Sequence, residues 1–262
     1  VYPDPGVGWN APRRLRGFAV AISIATLLVS AFVVAQVDPA KLVVGVPRLA
    51  RWAARAWPPD VSDFSILVER ALQTLAMATA GTVLATVLAL TLCFLASRNL
   101  TPNPWPRYAA RWTLNVLRSI DSFVFALIFV AAVGLGPFAG VLGLTLNTFG
   151  SIAKSWADGI ENAEAGPLEA ASLSGASRIK LISFVLVPDV LPGLASTALY
   201  FWEFNVRAST VLGVVGAGGI GQDLKNSIDL LDFPRVATIV LVILTMVTAI
   251  DQLSSLLRRR LA

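Results

Sequence analysis

LQTLAMATAGTVLATVLALTLCFLA, the run from Leu72 to Ala96, holds no charged residue, and its reading decides the fold. A helix of roughly 20 apolar residues crosses the hydrocarbon core of a bilayer, and this run is long enough to do so. Five more stretches read the same way: Phe18–Val37, Leu114–Val133, Phe138–Ala157, Val190–Leu212 and Val236–Leu257. The sequence therefore predicts an all-α, polytopic membrane protein of about six transmembrane helices. Composition agrees, since 56% of the 262 residues are hydrophobic and only 14% are charged, against about 25% charged in soluble chains. Gly134-Leu135-Gly136-Pro137 separates the third and fourth runs and predicts a tight hairpin, because proline and glycine stop one helix and restart the next.

The net charge is +5, but the charges gather at the edges of the apolar runs. That pattern belongs to a membrane protein; a nucleic-acid binder spreads its arginines over one face. Arg13, Arg14 and Arg16 precede the first run, and Arg98, Arg107 and Arg111 follow the second. Lys154, Arg178 and Lys180 surround the loop between the fourth and fifth, and Arg258, Arg259 and Arg260 close the chain. The positive-inside rule with an even number of spans places both termini in the cytoplasm, and turns the Gly134 hairpin and residues 213–232 outward.

One segment departs from that rule. Lys41, Arg48, Arg51 and Arg55 fall in the first outward loop, with Leu49, Ala53 and Ala56 at helical spacing and Trp52 and Trp57 near the boundary. We expect a short amphipathic helix on the lipid surface, serving either as an interfacial anchor or as an attractor of anionic solute. The first apolar run is too long for a cleaved signal peptide, and Gln36-Val37-Asp38 offers no small-residue cleavage site. The chain opens on Val1, which leads us to expect residues before it. The expected organisation is a segment 1–66, holding the tail, the first span and the amphipathic stretch. A core 67–262 follows, with a cytoplasmic loop at 159–188.

Histidine is absent, and the single cysteine, Cys93, lies inside an apolar run. No internal disulfide can form, and the commonest general base and metal ligand is missing. We expect no catalytic residue and no metal site.

The loop between the fourth and fifth runs reads Gly166-Pro167-Leu168-Glu169-Ala170-Ala171-Ser172-Leu173-Ser174-Gly175 and continues to Val187-Pro188. It predicts two short helices joined at a glycine. Pro167 suits a first helical turn, Glu169 would complement the positive helix end, and Gly175 can take the left-handed conformation that ends a helix. Ile179, Ile182, Val185 and Leu186 would share a face of the second helix before Pro188 and Pro192 reset the chain into the fifth span. By residue chemistry alone this is either an ordinary capped loop or a rigid mechanical coupler.

Glu169-Ala170-Ala171, three residues, Gly175, nine residues, Val185, one residue, Val187 and Pro188 resemble the EAA signature of ABC importer permeases. The resemblance implies a type I (MetI-like) permease fold and a loop that inserts into a cleft of a separate ATPase. It also implies a second permease copy, two ATP-binding subunits holding ATP and magnesium, a solute-binding protein, and alternating access in a bacterial inner membrane. The chain has no G-x-x-x-x-G-K phosphate loop ending in Ser or Thr, so nucleotide chemistry would reside on another polypeptide. We expect no cofactor on this chain.

Two further stretches resemble phosphonate importer permeases: Val133 to Leu142 around the hairpin, and Trp202-Glu203-Phe204-Asn205-Val206-Arg207 running into Gly216-Ala217-Gly218-Gly219-Ile220-Gly221. Asp121-Ser122 stands where that family leads one to expect a proline. The implied substrate is a phosphonate or related phosphorus oxyanion. The alternatives are a permease for methionine, metal or a quaternary amine, or an ion-coupled secondary transporter.

Gly216, Gly218 and Gly221 also satisfy G-x-G-x-x-G, but a dinucleotide site needs a strand before it and a helix after it. With Gly219, these glycines read instead as a flexible re-entrant segment or outer gate. Four ionisable residues fall within predicted spans, Arg118, Asp121, Glu203 and Arg207, and such groups are costly in a bilayer. Arg118 and Asp121 are three apart and Glu203 and Arg207 four apart, so each pair can meet on a helix face. They either neutralise one another or give an anion pathway positive potential, with Asn115, Asn147 and Asn205 as uncharged partners along it.

Overall fold

The computed structural model describes residues 11–173, 175 and 177–261. Among these, every regular element is helical. The expected N-terminal tail before residue 11 lies outside the described residues, as do Ser174 and Ala176 in the loop.

The chain divides into two units, one ending at Ala54 and one from Arg55 to Ala262. The first contains α1 (Ala11–Val34) and almost all of α2 (Pro39–Arg55). Helix α2 is the expected amphipathic element, longer than its charged segment suggested; Leu42, Val43, Val46 and Leu49 are all exposed apolar residues on it.

The second unit runs through α3 (Phe64–Ala96), α4 (Pro104–Ser119), α5 (Ser122–Val133) and α6 (Pro137–Glu161). The short α7 (Ala165–Leu173) and α8 (Arg178–Leu181) follow, then α9 (Val187–Leu212), α10 (Ile220–Asp229) and α11 (Phe233–Leu261). Helix α6 is the most enclosed of them and packs against α3, α4, α5 and α9. Its glycines make this possible. A β-carbon on Gly143 would sit 2.8 Å from the Ala126 backbone nitrogen of α5, and one on Gly150 would sit 2.8 Å from the Leu117 β-carbon of α4. In lipid, where apolar burial drives helix association little, small residues that bring backbones together supply packing instead.

Polar groups cross the same interfaces in pairs. Thr148 of α6 donates to Asn205 Oδ1 of α9 at 3.0 Å, and Asn205 Nδ2 donates to Thr82 of α3 at 2.8 Å. The Trp156 indole donates to the Leu194 carbonyl at 3.0 Å. Around them Ala85, Ala89, Leu114, Ile152, Ala153, Ile160 and Leu186 form the largest apolar cluster.

Among the described residues four helical stretches are long and apolar enough to cross a membrane: Arg16–Val34, Phe64–Ala96, Ile179–Val215 and Phe233–Leu261. The expected third span, Leu114–Val133, is not one straight helix. It is α4 and α5, bent by 87° between Ser119 and Ser122, and counting that pair as one span brings the total to five. Asp121 causes the break: its Oδ1 accepts the Phe123 N–H at 2.8 Å and caps α5. The Ile120 carbonyl left over accepts Asn147 Nδ2 of α6 at 2.7 Å. At 16 residues, α4 is about 24 Å long, too short to span alone. The expected fourth span is α6, 25 residues long. Its glycines, threonines, Asn147 and Lys154 keep it less apolar than the four stretches above.

A second correction concerns Pro188 and Pro192. They do not reset the chain, because helical backbone is continuous from Arg178 through a π-helical stretch, Ile182–Leu186, into α9. Pro188 comes just after that stretch, whose C-cap, Val187, donates its N–H back to the Ile182 carbonyl. The wider π winding then lets the same rod continue past it.

Candidate functional site

Three groups of predicted residues occupy three distinct places. The first is the loop at 159–188. Helix α6 ends at Glu161, and Arg111 of α4 secures that end. Arg111 pairs with Glu161 at 2.7 Å and Asp158 at 3.4 Å, and its Nε donates to the Ala96 carbonyl at 2.9 Å. The Arg98 N–H also donates to Glu161. Arg98 and Arg111 were read in the sequence only as orientation signals, and Asp158 and Glu161 not at all, yet together they tie α3, α4 and α6 beneath the loop.

Helix α7 begins at Ala165, two residues before Pro167. Glu169 therefore lies beyond the first turn, and the helix-dipole reason for an acid there does not apply. Glu169 and Ala170 are exposed and Ala171 is half-buried. Gly175 has φ +78°, the left-handed turn expected of it. The predicted aliphatic face splits: Leu186 enters the core, Ile182 and Val185 are half-buried, and Ile179 stays exposed. Leu173, Ile179 and Phe184 together present apolar surface on this loop, at 77–89% exposure. Of these, Leu173 and Phe184 carried no sequence signal. A cavity of about 350 Å³ lies at the loop's root, lined by residues including Gly159, Glu164, Asp189 and Gly193.

The second place is a charge cluster between α9 and α11. Glu203, 9% exposed, takes Arg207 on Oε1 and Arg258 on Oε2, the latter at 2.9 Å. Arg207 reaches Asp251 at 3.2 Å through the same Nη2 that meets Glu203. The predicted Glu203–Arg207 pair is thus present but belongs to a cluster of four. Asp251 is the one acid in the last apolar run, and that was the signal that could have found it. Arg118 and Asp121 do not pair: among the described residues no ion pair joins them, because the Asp121 carboxylate is turned to the α5 cap. Arg118 is exposed. Asp121 and Arg207 instead line one cavity of about 280 Å³ with Phe123, Phe204, Ala208 and Val211. Asn147 and Asn205 are separate from it in their bonding, one holding the α4–α5 break and the other the α3–α6–α9 packing.

The third place is the glycine segment. Gly216, Gly218 and Gly219 have φ between +72° and +87°, and the last two are buried together with Gly221. Glycines suggested flexibility, but this segment is pinned. Gly219 N–H donates to Gln73 at 3.1 Å, and Ile220 N–H to Thr74 at 2.9 Å. The Gly216 carbonyl accepts the Gly136 N–H of the hairpin at 2.9 Å. A β-carbon at Gly221 would sit 1.8 Å from the Thr210 carbonyl oxygen, so glycine is needed there for close approach. No strand precedes it, and the dinucleotide context fails.

The family described as binding-protein-dependent transport system inner membrane component matches residues 81–262. This chain belongs to that family. The match begins within α3 and takes in the loop, the charge cluster and the glycine segment, leaving α1 and α2 outside it. The chain is 49% identical to the putative phosphite transport system permease protein HtxC of Stutzerimonas stutzeri, over 95% of this chain and 88% of the relative. It is 42% identical to the phosphite transport system permease protein PtxC of the same organism, over 97% and 91%. In fold, this permease is similar to an inward-facing structure of the MetNI methionine ABC transporter, with a TM-score of 0.64 at 22% identity. The likeness covers 76% of this chain and 97% of that one. The permease is therefore an all-α, multi-pass membrane protein with a MetI-like fold.

Proposed function

We propose that this chain is the membrane-spanning subunit of an ATP-driven importer that carries phosphite, phosphonate or a related phosphorus oxyanion into the bacterial cytoplasm. The observation that carries the reading is its near-full-length likeness to two phosphite transport system permeases. In this reading two copies of the permease meet two ATPase subunits, which hold ATP and magnesium, and a solute-binding protein delivers the anion from outside.

The loop around Glu169, Ala170, Ala171, Gly175 and Pro188 is the ATPase dock. Its exposed Leu173, Ile179 and Phe184 suit a protein cleft, and the continuous rod from Arg178 into α9 would transmit displacement directly to the span bearing Arg207. The segment Gly216–Gly221, bonded to the hairpin at Gly136, is the outer gate. With α6 counted beside the five spans the number is even, and by the positive-inside distribution both termini and the loop then face the cytoplasm.

Arg207 is the anion contact. A guanidinium has five N–H donors in a fixed fork that suits phosphorus oxyanions. Both acid contacts of Arg207 use one nitrogen, so other donors remain for a small solute in the 280 Å³ cavity. Nearby Asp121 and the paired acids keep that contact weak, as release to the cytoplasm requires. Arg118, exposed at the end of α4, is a further positive group on the same path. Uptake of labelled phosphite in a strain deleted for its own transporters tests the reading. We expect phosphonate to compete and methionine not to; competition by methionine alone would overturn it.

A further inference from the structure

Arg258 is one of three arginines closing the chain, and in the sequence it reads only as a cytoplasmic charge. The structure gives it a different neighbourhood. We infer that Arg258 is a positioning residue that keeps Arg207 available to the anion, an inference that rests on the importer reading above.

Glu203 is nearly buried, and its two oxygens are divided between two guanidinium groups, Arg207 on Oε1 and Arg258 on Oε2. Asp251 completes a cluster of two cations and two anions with no net charge. A buried carboxylate must have both oxygens satisfied. While Arg258 holds Oε2, Arg207 needs to offer Glu203 only one nitrogen. Among the described residues, Arg207 Nη1 and Nε have no hydrogen-bond partner, and the side chain stays 51% exposed beside the cavity shared with Asp121.

Without Arg258, Oε2 would lose its partner. The planar fork of Arg207 can then close on both oxygens of Glu203, the bidentate geometry that arginine and carboxylate favour. Two consequences follow: donors of a residue that lines the cavity are withdrawn, and the cluster becomes net negative where an anion must pass. Asp251 cannot restore the balance, because it also draws on Arg207. The capture of Arg207 therefore runs through Glu203, which separates this role from simple packing and from the loss of one charge.

The test is epistasis in phosphite uptake by the assembled complex, with assembly and ATP hydrolysis followed alongside. We expect R258Q to lower uptake about tenfold in the wild-type background while ATP hydrolysis persists. In an E203Q background the same substitution changes uptake by less than about twofold, because there is no carboxylate left to capture Arg207. An undiminished R258Q, or a tenfold loss that persists in E203Q, overturns the inference. Should R258Q not assemble, R258K decides. Retention of uptake within about twofold supports a charge that neutralises Glu203, and loss of uptake in an assembled R258K complex contradicts it. R207A in the same assay tests the underlying reading separately, since wild-type uptake there removes the anion contact itself.

Discussion

Asn147 Nδ2 donates to the Ile120 carbonyl at 2.7 Å, across the point where α4 turns into α5. That carbonyl would otherwise lack a partner, because Asp121 starts a new helix instead of continuing the old one. The bond is half-buried, and a hydrogen bond of this kind contributes about 0.5–1.5 kcal/mol. We expect N147A to cost about that much stability, read as a lower thermal midpoint of the detergent-solubilised protein. An unchanged midpoint would mean that the Asp121 cap and packing hold the break without this bond.

Gly143 tests the other support of the same junction. Its α-carbon faces the Ala126 backbone, where an added methyl group would stand 2.8–3.0 Å from backbone and side-chain atoms that cannot rotate away. Overpacking of this kind costs about 1–3 kcal/mol. G143A should therefore destabilise the protein in a thermal melt. The control is Gly159, where nothing lies within 4 Å of the added carbon and alanine should be tolerated.

Asp60 lies outside the spans, where the Ser62 N–H first, then the Ser62 hydroxyl, and Arg235 more weakly, hold its carboxyl below the usual carboxylate range. A depressed folded value stabilises the fold above the unfolded value of about 3.9. That contribution is lost as pH falls through the folded value. D60N should flatten the acid limb of the stability curve below about pH 4, read as melting temperature against pH. A parallel acid limb in D60N would assign the acid sensitivity to other carboxylates.

Glu169 is exposed on α7, on the loop we assign to the ATPase. E169R should leave the permease folded but detach the ATPase or uncouple its hydrolysis from transport. Co-purification and coupled uptake measure the two outcomes. Normal values for both would place the dock elsewhere.

Arg207 separates pairing from pathway. Loss of its guanidinium should abolish uptake while the assembled complex continues to hydrolyse ATP. Wild-type uptake by R207A would confine the residue to its ion pairs with Glu203 and Asp251.

Much of this was legible in the sequence where the deciding physics is local. The apolar run at Leu72, the left-handed Gly175 and the i,i+4 pair of Glu203 and Arg207 all follow from near neighbours. The break at Ile120 did not, because averaged hydropathy from Leu114 to Val133 conceals a single capping aspartate and its distant partner Asn147. The continuous rod through Pro188 was hidden as well: proline reads as a stop unless its place in the helix is known. Long-range partners were the hardest to see. Gln73 and Thr74 pin the glycine segment 146 residues away, and Arg258 reaches Glu203 from the far end of the chain. Nothing in local spacing announces either contact.

The most direct test is accumulation of labelled phosphite in proteoliposomes containing this permease, its ATPase and its solute-binding protein. We predict accumulation that requires ATP and all three components and is competed by phosphonate. ATP-independent accumulation by the permease alone, or accumulation of methionine in place of phosphite, would contradict it.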